Sequence, residues 1–160
     1  MALTKVIGSG IGTVTNQFAD ANLPAGSVLQ VITADDSTAR TSTSTSYVTA
    51  SNTLAVAITP SATSSKIFVT ASLGYRTPLG TVSLNITLYR DSTNLGVAAG
   101  FCNVFSGHSY MYGQATPLIL DSPSSTSELT YQVYFKIGSG SNVGAINTGK
   151  STITAYEIAG

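Results

Sequence analysis

The sequence is short of charge, and several function classes fall with that shortage. Charged side chains make up 9% of its 160 residues, seven basic against seven acidic, so the formal net charge is zero. An ordinary soluble domain carries about 25%. A neutral chain with scattered cations offers no electrostatic footprint to a polyanion, which argues against nucleic acid and against an anionic membrane surface as partners. Cysteine and histidine are scarcer still. Cys102 has no second thiol to pair with and His108 no second imidazole, so an internal disulfide and a His-based metal site are both excluded. No stretch approaches the roughly 18 consecutive apolar residues of a spanning helix, and the opening MALTKVIGSGIG lacks an apolar signal core and a cleavage site. Synthesis in a cytoplasm, without standard secretion, is the expectation.

What covers the surface instead is hydroxyl. Ser and Thr together account for 45 of the 160 residues, with 15 glycines beside them. A chain of this length suits one domain and buries roughly 70% of the surface its unfolded form exposes. Low charge with strong apolar alternation argues for a packed chain and against disorder.

Helix formers are sparse, β-branched residues abound, and Gly-, Asn- or Ser-rich punctuation recurs along the chain, so the pattern predicts an all-β fold. Thr81–Arg90 is the clearest strand: Val82, Leu84, Ile86 and Leu88 face a core while Ser83, Asn85, Thr87 and Tyr89 face water. Asp91-Ser92-Thr93-Asn94 then predicts a hairpin turn. Leu129, Tyr131, Val133, Phe135 and Ile137 alternate with polar or amphipathic neighbours in a second strong strand. Weaker strands are expected at 28–33, 54–59, 66–73, 101–105, 110–114, 117–120, 143–146 and 151–158. The Ser/Thr tract 37–46 reads as a loop or a hydroxyl-rich edge strand. About ten short strands with no helical crossover predict an antiparallel β-sandwich of jelly-roll type over residues 27–160, with Leu84, Ile86, Val133 and Phe135 in its core.

Residues 1–26 differ. Lys5, Val6, Ile7, Ile11, Val14, Phe18 and Leu23 are set among Gly8, Gly10 and Gly12 without a regular period, which predicts an extended N-terminal attachment arm ending at Leu23-Pro24-Ala25-Gly26. Its docking anchors are expected to be Lys5, Ile7, Ile11, Val14 and Phe18.

No catalytic constellation emerges. The glycines at 8, 10 and 12 lack the third glycine and the strand–helix context of a dinucleotide loop. His108, Ser109 and Asp121 include the residue types of a hydrolytic triad, and Cys102 with His108 those of a thiol enzyme, but neither occurs in a recognisable motif. Asp35-Asp36 reads as a solvated turn, since no further acidic residue follows within calcium-loop spacing. No enzyme activity, cofactor or metal is expected. The aromatic run Phe101, Phe105, Tyr110 and Tyr112 suits a strand face at a core or subunit contact, with Phe105, His108, Tyr110 and Tyr112 as possible glycan contacts.

The segments Leu23-Pro24-Ala25-Gly26-Ser27-Val28-Leu29-Gln30-Val31, Ser46-Tyr47-Val48, Ile58-Thr59-Pro60-Ser61-Ala62-Thr63-Ser64-Ser65-Lys66-Ile67, Leu88-Tyr89-Arg90-Asp91-Ser92-Thr93-Asn94-Leu95 and Ser151-Thr152-Ile153-Thr154-Ala155-Tyr156-Glu157-Ile158 together resemble virion proteins of marine and freshwater tailed phages, cyanophages included. The resemblance runs nearly the whole way from Leu23. It implies a β-sandwich assembling as trimers on the particle, as a decoration (cement) or fibre component. Long fibres of this type carry shaft repeats or further N-terminal domains that are not seen here, so decoration is the expectation: an arm docking on the major capsid protein lattice and a sandwich capping a symmetry axis. A receptor-binding tip that engages host surface glycan is the alternative. Sparse surface charge favours self-association, a homotrimer being expected, with Tyr134 and Tyr156 as its interface residues.

Overall fold

A computed structural model describes residues 23–107, 109–139 and 143–160. Every regular element among them is a strand, and every named pairing is antiparallel. In chain order they are β1 (Val28–Asp36), β2 (Arg40–Ser42), β3 (Val48–Thr49), β4 (Ala55–Ile58), β5 (Lys66–Arg76), β6 (Ser83–Arg90), β7 (Thr93–Asn94), β8 (Cys102–Phe105), β9 (Tyr112–Ala115), β10 (Leu118–Asp121), β11 (Leu129–Ile137), β12 (Gly144–Ile146) and β13 (Ser151–Ile158).

Several are pieces of one line. β1 and β2 pair with β13 and β12, and β9 and β10 share one register along β5. β3 and β4 both pair β11, and β7 and β8 both pair β6. The chain therefore runs as eight strand lines: 28–42, 48–58, 66–76, 83–90, 93–105, 112–121, 129–137 and 144–158. In spatial order the first sheet is 28–42, 144–158, 66–76, 112–121; the second is 48–58, 129–137, 83–90, 93–105. Line one pairs with line eight, two with seven, three with six and four with five. That is a single long hairpin rolled up, which is the jelly roll. Its tip is the turn at Asp91, whose φ of 51° is left-handed and whose carboxylate accepts a bond from the Thr130 amide. The hairpin expected after Arg90 is thus the pivot of the whole fold.

The core is what the alternation dictates. Leu129, Tyr131, Val133, Phe135 and Ile137 are all buried along β11, and Leu84, Ile86 and Leu88 oppose them from β6. Ile67, Val69, Ala71 and Leu73 of β5, with Ile153 and Ala155 of β13, fill the space from the other sheet. The Ser/Thr tract resolves into the short edge strand β2.

Two expectations fail. The non-core face of β6 is not wet: Ser83, Asn85 and Thr87 are buried. The chain from β7 to β8 folds over them: Asn85 Nδ2 donates to the Ala99 carbonyl at 2.9 Å and Thr87 Oγ1 to Asn94 Oδ1 at 2.7 Å, while Ser83 Oγ donates to Asn85 Oδ1 at 3.0 Å within β6. Tyr47 reaches the same segment through Ala98. Gly100, at φ 78°, lies against the Ile86 carbonyl, so close that no Cβ fits there. The second error is Asp35-Asp36. These residues end β1 rather than forming a solvated turn, and Asp36 is buried, accepting from the Thr38 amide at 2.8 Å beside Arg40. The Ser51 hydroxyl and the Thr38 amide hold its carboxyl well below the usual carboxylate range.

Candidate functional site

The two sheets differ in what their outer faces present. The second sheet is roofed in part by its own chain. The described residues leave the first sheet open, and strand register places its outward residues in rows. One row runs Val31, Tyr156, Phe68, Leu120 across all four lines. The next runs Thr33, Thr154, Thr70, Leu118. Val31, Leu118 and Leu120 are each more than half exposed, and the Phe68 and Tyr156 rings pack 5.9 Å apart between them. No ionisable side chain other than the Tyr156 phenol stands in either row. The charges of this face lie toward its ends: Lys66 near one, and near the other Arg76 and Asp35, the last paired with Lys150 at 3.0 Å. Contiguous exposed apolar surface of this kind on a sheet marks an interaction site.

Tyr156, expected at a subunit contact, belongs to this face. Tyr134 does not. It lies on the outer face of the opposite sheet, stacked on Tyr89 at 4.1 Å, with Lys136 over the neighbouring Tyr47 ring. Burial pushes the Tyr47 hydroxyl up to about 12, with the nearby Tyr89 adding to it.

The aromatic residues expected near a glycan separate in the same way. Tyr112 pairs with Arg76 on the first sheet's outer side, and the Arg76 guanidinium lies 4.4 Å from the centre of the Tyr110 ring. Phe105 pairs with Ser83 on the second sheet. Tyr110, Tyr112 and Phe105 are all exposed, and His108 lies outside the described residues, as do Lys5, Ile7, Ile11, Val14 and Phe18.

The residue types suited to hydrolysis are otherwise occupied. Asp121 Oδ2 accepts from Arg90 Nη1 at 2.7 Å and from the Tyr131 hydroxyl at 2.7 Å, tying the edge of the first sheet to the second. Glu157 is buried in the same cross-strand row as Asp121, on the other side of Ile67, where Gln30 Nε2 donates at 2.6 Å and the Ser61 amide and hydroxyl donate at 2.7 Å. A cavity of about 400 Å³ beside it is lined by Leu23, Leu29, Ser61, Ser65 and Gly160. Cys102 is half-buried, and burial pushes its thiol up.

Val31, Phe68, Leu118 and Leu120 were not singled out in the sequence, although one signal was there. Pro117-Leu118-Ile119-Leu120 is apolar at both parities, which a half-wet strand does not need.

No protein-family profile matches the chain, and neither does any curated protein. Among solved structures it overlaps capsid proteins of infectious bursal disease virus. One is from the viral particle (14% identity, TM-score 0.40, 81% of this chain and 35% of that one), one from the VP2 subviral particle (12%, 0.40, 81% and 37%) and one from the Gx strain (13%, 0.41, 85% and 39%). The chain spans little more than a third of the length of these proteins. The architecture stands on the chain's own strand order.

Proposed function

We propose that this protein is a non-enzymatic structural component of a virion, a tailed-phage capsid decoration or cement protein that assembles as a homotrimer. In this reading residues 1–26 dock on the major capsid protein lattice and the jelly roll caps a symmetry axis. The observation that carries the reading is where the surface chemistry lies. The space between the sheets is filled by side chains, Asp121 and Glu157 are held by neighbours of this same chain, and the surface that the described residues leave open is a sheet face whose two central rows carry apolar and threonine side chains and no formal charge. Such a molecule is built to be covered by other protein. The anchors Ile7, Ile11, Val14 and Phe18, spaced on a glycine-containing backbone, suit a segment that orders on its partner.

Counting copies per purified particle tests the reading. Hundreds of copies are expected of a decoration protein, and a few to a few dozen would overturn it in favour of a fibre. Deletion of residues 1–20 should release the protein from particles, whereas retained binding would refute docking through the arm.

The second reading, a glycan-binding tip, is favoured by one observation: Tyr110 and Tyr112 are exposed beside Arg76, an arrangement that can stack on a sugar and donate to its hydroxyls. Binding on a glycan panel that disappears in Tyr112→Ala would select it.

A further inference from the structure

We propose that three copies of this chain turn the outer face of the first sheet toward a common threefold axis running along the strands. The Leu120 margin of each copy then meets the Val31 margin of the next. The inference deepens the homotrimer of the proposed function by assigning its surface, and it rests on that part of the reading.

Three observations converge on a second and third copy as the occupant. The first is the asymmetry of the sandwich: its own chain covers part of the second sheet through Ala98 and Ala99, while the described residues leave the first sheet open. The second is charge. The rows through Val31 and Thr33 bear no formal charge, so like meets like without repulsion, which a charged face would not permit.

The third is shape. Four neighbouring strands span about 19 Å at a spacing of about 4.8 Å. Three such faces closed into a triangular prism place each sheet about 5.5 Å from the axis, close to half the roughly 10 Å between packed sheets. Four copies would stand about 9.5 Å off the axis and leave a channel these side chains could not fill. The bulky pair, Phe68 and Tyr156, occupies the middle of the row and points at the axis; the smaller Val31 and Leu120 occupy the margins, where neighbouring sheets converge. Two flat faces would leave a uniform gap and call for no such gradient.

Sedimentation equilibrium of the full chain at micromolar concentration tests this. Wild type should run at three times the 16.4 kDa chain mass. Val31→Lys and Leu120→Glu, both at exposed positions that leave the core intact, should each lower the apparent mass threefold, with circular dichroism reporting that the fold is retained. Combined in one chain they should restore the trimer, because each Lys then faces a Glu of the next copy. Thr49→Glu, exposed on the opposite sheet, should change nothing. A monomeric or dimeric wild type, a trimer indifferent to both single substitutions, or a double variant that stays monomeric would overturn the assignment. None of these outcomes bears on whether the protein is present in particles, which the copy count reads separately.

Discussion

Removing the Tyr131 hydroxyl should weaken the sandwich through one bond that crosses it. Tyr131 is fully buried on β11, and its hydroxyl donates to Asp121 on β10 at 2.7 Å while Arg90 of β6 donates to the same oxygen. Burial and the Asp121 carboxylate push the hydroxyl well above its ordinary value, so it is the donor throughout the physiological range. Tyr131→Phe keeps the ring and deletes the donor. Asp121 retains Arg90, so no charge is stranded, and the loss is that of a bond to a charged acceptor, about 1.5–3 kcal/mol. Asp121→Ala is a different perturbation, because it leaves a mostly buried guanidinium and a buried hydroxyl without their acceptor; about 3–5 kcal/mol is expected. Urea denaturation at one fixed protein concentration measures both, since assembly would otherwise shift the midpoint. The double variant should cost less than the sum by at least about 1 kcal/mol. If Tyr131→Phe falls within about 0.5 kcal/mol of wild type, or Asp121→Ala costs no more than Tyr131→Phe, the cross-sheet bond does not carry the weight assigned to it.

Gly100→Ala should destabilise by about 1–3 kcal/mol, from positive φ and from collision with the Ile86 carbonyl, and thermal melting should show it; an unchanged midpoint would mean that the covering segment is not held as described. Burial pushes the Glu157 carboxyl up, yet the hydroxyl and amide donors of Ser65, Gln30 and Ser61 gathered around it outweigh burial and hold it below its usual 4.5. Its contribution to stability is therefore complete above that value and lost as pH falls through the lowered one, so Glu157→Gln should flatten the acid limb of a melting-temperature profile from about pH 6 to pH 3. An acid limb as steep as that of wild type would refute this. Cys102 should react with a thiol reagent at pH 8 at least about tenfold more slowly than a free thiol until urea unfolds the chain, and equal rates would show that the site is open.

Alternation is a local property of a strand, and where this chain alternates it could be read directly. Leu129 to Ile137, Leu84 to Leu88 and the turn at Asp91 were legible because two-residue periodicity and turn chemistry need no knowledge of the partner. The jelly-roll class was also readable, from the spacing of the strands and the lack of helical crossovers.

Pairing across the chain was not legible, and it decides everything that depends on a neighbour. Ser83, Asn85 and Thr87 have the sequence of a wet face, but the chain that returns after the Asp91 turn covers them, taking bonds from Thr87 at Asn94 and from Asn85 at Ala99. Nothing around Asp121 in the sequence names its partners, Arg90 and Tyr131, which folding brings to it from the other sheet. Val31, Tyr156, Phe68 and Leu120 come from four separate strands, so no window of sequence contains the row they form. Which side of a strand lies against the core can be read from its own residues, whereas what stands beside it across the sheet is set by the register of strands up to about 130 residues apart.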